Sequence, residues 1–141
     1  MKVVIDTQNI LDDVDGVFLR ETGDRNNMPQ RGVLMQYLNE ANARVIILIG
    51  KYYEAYCQEE ADDSLGLADK FVYGLLMSPR REMGKAQAIT DTIHSFLVNL
   101  VLAKVFTNAG LAELGAKHEA QYGADGAVLQ QLIHSKRPPV C

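Results

Sequence analysis

The chain has 141 residues, 48% of them hydrophobic and 23% charged, with a net charge of −4. That length suits one domain whose core needs no disulfide or structural metal to fold. The acidic balance argues against a nucleic-acid coat protein or a binder of anionic membrane surfaces.

Two cysteines, Cys57 and Cys141, have neither the spacing of a metal knuckle nor that of a redox pair, and a reducing cytoplasm is the expected compartment. The opening Met1-Lys2-Val3-Val4-Ile5-Asp6 meets an acid too early for a signal peptide. The greasiest stretch, residues 96–106, is interrupted by Asn99 and Lys104, short of the ~20 apolar residues of a spanning helix.

In chain order, the first five residues suit either an extended or a frayed segment. Asp6 or Thr7 can cap a short helix whose inward face is Ile10, Leu11, Val14, Val17 and Phe18. Residues 22–29 are turn chemistry. From residue 31 to 57, Leu34, Leu38, Ala41, Val45, Leu48, Tyr52 and Tyr56 repeat at helical spacing, and Ile46, Ile47 and Ile49 widen the arc so that its middle is expected to be covered on two sides. Residues 59–64 form an acidic loop.

Leu67, Ala68, Phe71, Val72, Leu75 and Leu76 suit a third helix stopped by Ser78-Pro79. A connector over residues 78–85 leads to a fourth helix with Ile89, Ile93, Phe96, Leu97, Leu100 and Val101 inward, ending at Asn108-Ala109-Gly110. The last helix spans about residues 111–135 with Leu111, Leu114, His118, Tyr122, Leu129, Leu132 and Ile133 on its stripe. Gly115, Gly123 and Gly126 inside it mean either a closely packed neighbour or a break near 123–126.

The expectation is an all-α fold: a bundle of four to five helices with a long second helix and a long C-terminal helix. It would be one domain, with an N-terminal segment and short helix over 1–29, a main bundle over 30–137 and a tail over 138–141.

Chemistry is harder to find. Asp13-Val14-Asp15-Gly16 fails as a calcium loop, because Leu11 and Thr22 stand where acids are required. His118-Glu119 lacks the second histidine of a zinc helix, that position being Tyr122, and a hydrogen-bonded core histidine is the better reading. Asp91-x-x-His94 has no matching partner for a di-metal site, and Asp91 suits the first turn of its helix. No serine sits in a nucleophile elbow, and Pro79 occupies the first glycine of a would-be phosphate loop before Gly84-Lys85. No catalytic, metal or cofactor-binding residue is therefore expected.

Residues 1–70 carry −6 and residues 71–141 carry +2. That asymmetry suits head-to-tail self-association, though ordinary solvated faces explain it as well. The candidate interaction residues are the basic Arg80, Arg81 and Lys85, the acidic Glu59, Glu60, Asp62 and Asp63, and Tyr53, which lies off the inward stripe of the long helix.

The layout resembles a known group. Tyr37-Leu38-Asn39-Glu40-Ala41-Asn42-Ala43-Arg44-Val45-Ile46 is followed by Gly50-Lys51-Tyr52-Tyr53. Then come the basic Met77-Ser78-Pro79-Arg80-Arg81 stretch, Asn99-Leu100-Val101-Leu102-Ala103-Lys104, and a late helix ending Leu132-Ile133-His134-Ser135-Lys136-Arg137-Pro138-Pro139. Over roughly residues 30–139 this is similar to small helical head–tail connector (adaptor) proteins of tailed phages and prophages, especially those of gut Bacteroidetes. The resemblance implies a non-enzymatic virion component that assembles with copies of itself, in a ring beneath the portal, and with portal or tail proteins. It would be made in the bacterial cytoplasm and carried in the virion of an active phage. The N-terminal helix departs from the simplest layout of that group. A helical regulatory or DNA-binding module is the competing reading, weakened by the long connector between its helices and by the few cations those helices carry.

Overall fold

In a computed structural model of the chain, the described residues are 2–23, 28–50, 70–75 and 79–133. They form β1 (Lys2–Asp6), α1 (Thr7–Thr22), α2 (Arg31–Ile49), β2 (Lys70–Gly74), α3 (Pro79–Asn108) and α4 (Ala112–Ile133). The molecule is mostly helical, with one two-stranded antiparallel sheet. α3 is the central element: α4 runs back along it, and α1 and α2 pack on it.

Asp6 opens α1, its side chain accepting from the Gln8 amide at 2.8 Å and satisfying a first-turn donor. The helix buries Ile10, Leu11, Val14 and Phe18 as its spacing requires. α2 buries Leu34, Met35, Leu38, Ala41, Val45 and Ile49, but ends at Ile49 rather than running to residue 57. Gly50 takes a φ of 61°, which turns the chain off the helix axis, and its N–H closes on the Ile46 carbonyl. In the middle of α2, Ile46 and Leu48 pack partly against the core while Ile47 between them is left 75% exposed.

Two further assignments from the sequence are corrected. Residues 70–74 are a strand rather than part of a third helix. β2 pairs with β1 in the register Val3 opposite Tyr73, Val4 opposite Val72 and Ile5 opposite Phe71. All four residues from Phe71 to Gly74 are buried, so the run shows no alternation, and a continuous apolar run of that length is compatible with either element. β1 does alternate, with Val3 and Ile5 buried and Val4 half exposed. The N-terminal segment is therefore part of the core and not an appendage to it.

The second correction concerns the connector at 78–85. Pro79 begins α3, and the helix runs unbroken from there for 30 residues. Proline at the first helical position gives up only an amide that has no partner inside the helix, so the residue read as a stop is a start. Asp91 consequently lies well inside α3, not in its first turn.

The apolar face expected for α3 is confirmed: Ile89, Ile93, Phe96, Leu97, Leu100 and Val101 are all buried. Lys85–Asn108 is long and apolar enough to cross a membrane by length and composition, and 61% of its most apolar window is buried inside the fold.

The α3–α4 turn is closed by backbone bonds from Gly110 N–H to the Thr107 carbonyl, 3.2 Å, and from Leu111 N–H to the Phe106 carbonyl, 2.9 Å, with Gly110 at a φ of 82°. This is the left-handed cap that the Asn-Ala-Gly sequence points to. α4 does not break. Two of its glycines mark close packing instead: Gly126 faces Leu48 and Phe96, and Gly115 faces Thr107 and the Ala103 carbonyl.

Candidate functional site

A chain of buried and part-buried polar side chains runs across α1, α3 and α4. It starts at Asp125 on α4, whose Oδ2 accepts from the Ser95 hydroxyl at 2.6 Å. Asn99 lies one turn after Ser95 on α3. Its Nδ2 donates to the Ser95 carbonyl at 2.9 Å and lies 3.2 Å from Ser95 Oγ and 3.5 Å from Asp125 Oδ2. Asn99 Oδ1 sits 2.7 Å from Nδ1 of His118, and Nε2 of that ring is 3.3 Å from Glu21 Oε1 on α1. Lys117 completes the chain from the surface, 3.0 Å from the same Glu21 oxygen.

His118 is 6% exposed and stacks on Phe106, with ring centroids 5.4 Å apart; Phe106 in turn stacks on Phe18 at 5.3 Å. The expectation of a hydrogen-bonded core histidine is met. Its protonation follows from the neighbours. Three acceptors surround Asn99 Nδ2, which fixes that atom as the amide nitrogen. Oδ1 then faces the imidazole, and Nδ1 must donate.

Burial lowers the His118 pKa from its ordinary 6.5, with the Glu21 carboxylate opposing that shift and the Lys117 and Arg20 charges adding to it. Burial also works to raise the Glu21 pKa, but Lys117 and the imidazole outweigh it and hold the carboxyl below 4.5. Glu21 Oε2 is buried with no hydrogen-bond partner among the described residues.

The hydroxyl of Ser95 and the imidazole of His118 are each committed to a different partner, so they do not form a nucleophile–base pair. Among the described residues, no group of three His, Cys, Asp or Glu side chains is placed to hold a metal ion.

The residues singled out from sequence are dispersed. Lys85 is half-buried on α3 and donates to the Leu132 carbonyl in the last turn of α4 at 3.4 Å, a favourable place for a cation. Arg80 and Arg81 lie in the first turn of α3. Tyr53, Glu59, Glu60, Asp62 and Asp63 lie outside the described residues. Asp91 accepts from Gln87 on the exposed face of α3, and His94 pairs with Asp13 of α1 at 2.5 Å.

Sequence reasoning missed Glu21, Ser95 and Asp125. Ser95 and Asn99 are four apart within the most apolar part of α3, and Asp125 is seven residues beyond His118 on the same helical face. Both spacings were available as signals.

No family model matches the chain, no curated protein matches it, and no solved structure matches its fold.

Proposed function

We propose that this chain is a non-enzymatic structural subunit of a phage or prophage, of the head–tail connector (adaptor) kind, which assembles with copies of itself and with portal or tail proteins. The sequence likeness over roughly residues 30–139 suggests the class. The observation that carries the reading is Ile47, a large apolar side chain left 75% exposed on α2. Covering such a side chain is worth about 1.5–3 kcal/mol, and a neighbouring subunit is one way to cover it. Val33 on the same helix and Val128 on α4 are also exposed.

Arg80 and Arg81 give this reading a second contact. They stand in the first turn of α3, where the helix already presents partial positive charge, and the added cations suit an acidic surface on a partner. The N-terminal half of another copy, at −6, is such a surface.

Solution mass measured by light scattering across protein concentration, with and without a candidate portal protein, tests the reading. Closed higher-order species, or binding to the portal, are expected, and Ile47→Asp should abolish them with melting unchanged. A monomer at every concentration that ignores the portal would remove the proposal. Salt-dependent DNA binding by that monomer would move the reading to a regulatory module.

A further inference from the structure

The Glu21–His118 contact has a feature that its surroundings do not explain. With Nδ1 donating to Asn99, a neutral imidazole points its remaining lone pair, on Nε2, at a carboxylate oxygen 3.3 Å away. Two acceptors then face one another, the carboxylate oxygen also accepting from Lys117, where the Glu21 side chain is only 13% exposed and its other oxygen has no partner among the described residues. Such an arrangement has room for one proton and a use for it.

We propose that this contact is a single-proton clasp: in mild acid Nε2 of His118 takes up a proton, and the ion pair that results seats Glu21, and with it the last turn of α1, against α4. The comparison is between Glu21 docked and Glu21 swung away, with the ring still stacked on Phe106 and bonded to Asn99. Between those two states only the carboxylate moves, and a carboxylate favours the charged ring. By linkage, the protonated ring favours the docked carboxylate by the same amount.

The groups facing the ring have opposed signs. Lys117 from α4 and Arg20 from α1 oppose the proton, and Glu21 favours it. α3 contributes the neutral Asn99, whose Nδ2 lies 3.5 Å from the Asp125 carboxylate, and the Phe106 ring. Burial sets uptake below the usual 6.5, and Lys117 and the imidazole hold the Glu21 carboxyl below its usual 4.5. Glu21 sits two residues before Gly23, whose N–H closes α1 on the Leu19 carbonyl at 2.7 Å, so the clasp acts on the end of a helix.

The test is a side-chain 15N NMR titration of the full chain from about pH 8 to about pH 4, reaching below the ordinary imidazole range, in the wild type and in Glu21→Gln. The wild type should show the Nδ1–H tautomer at the alkaline end and gain a proton on Nε2 on acidification. In Glu21→Gln the midpoint should fall by about one pH unit, a tenfold loss of proton affinity. Amide exchange over residues 19–23, corrected for the intrinsic pH dependence of exchange, should slow in acid in the wild type and not in the variant. An Nε2–H tautomer at the alkaline end, a midpoint unchanged in Glu21→Gln, or exchange at residues 19–23 that does not slow would each overturn the proposal. Should the variant not fold, the wild-type tautomer and exchange profile decide alone.

Discussion

Gly115 and Thr107 approach so closely across the α3–α4 turn that a β-carbon on Gly115 would overlap Thr107 Oγ1. It would also lie 3.2 Å from the Thr107 nitrogen and 3.3 Å from the Ala103 carbonyl oxygen. The hydroxyl can rotate away, whereas the two backbone atoms cannot. Gly115→Ala should therefore destabilise the chain by about 1–3 kcal/mol despite the better helix propensity of alanine. Adding Thr107→Ala should recover only part of the loss in denaturant unfolding. Full recovery would place the whole conflict in the hydroxyl.

Leu97 is fully buried at the centre of α3, the helix that every other described helix touches. Leu97→Ala should cost ~2–5 kcal/mol, the value depending on how far the site collapses around the cavity. A near-neutral midpoint in urea would contradict the inward face assigned to this helix.

Asp6 serves both as the last residue of β1 and as the cap of α1. Asp6→Ala should lower stability by about 0.5–2 kcal/mol, and Asp6→Asn by clearly less, because the amide oxygen can still accept from Gln8. Equal losses would mean that charge, not capping, is what matters at this position.

Acid should weaken the fold as a whole in two stages. The folded His118 pKa is lowered from 6.5, so the unfolded chain binds more protons below that pH. Its contribution is complete above about 6.5 and is lost as pH falls toward the folded value. Glu21, lowered from 4.5, contributes above that value and is lost as pH falls through its own folded value. His118→Gln should flatten the upper stage in a series of melting temperatures against pH while leaving the lower one. An unchanged upper stage would assign it to other groups.

The helices were legible because their neighbours lie on one side. Ile89, Ile93, Phe96 and Leu97 recur at 3.6-residue spacing, and α3 buries them as that spacing demands. β2 was not legible, because Phe71, Val72 and Tyr73 are all buried and leave no period to read, while its pairing partner lies at the other end of the N-terminal half. Pro79 was ambiguous by chemistry, since the same missing N–H that stops one helix suits the first position of the next.

Part of the buried polar chain was visible, part was not. Asn99 announced itself as a polar residue inside an apolar run, and His118 as one on an apolar stripe. Glu21 sits 97 residues from the imidazole it faces, and local pattern carries no trace of a contact that long.

The pairing of β1 with β2 also sets an order of events in time. The α3–α4 hairpin closes over a short turn and draws on contacts local in sequence, whereas β1 meets β2 only after a loop of more than sixty residues has been closed. Loop closure delays such non-local contacts in folding. During synthesis β1 is made before β2 and has no partner strand until residue 74 has followed it, and α1 lacks the helix it packs on most until α3 is made. Strand β1 is thus made well before it can be secured.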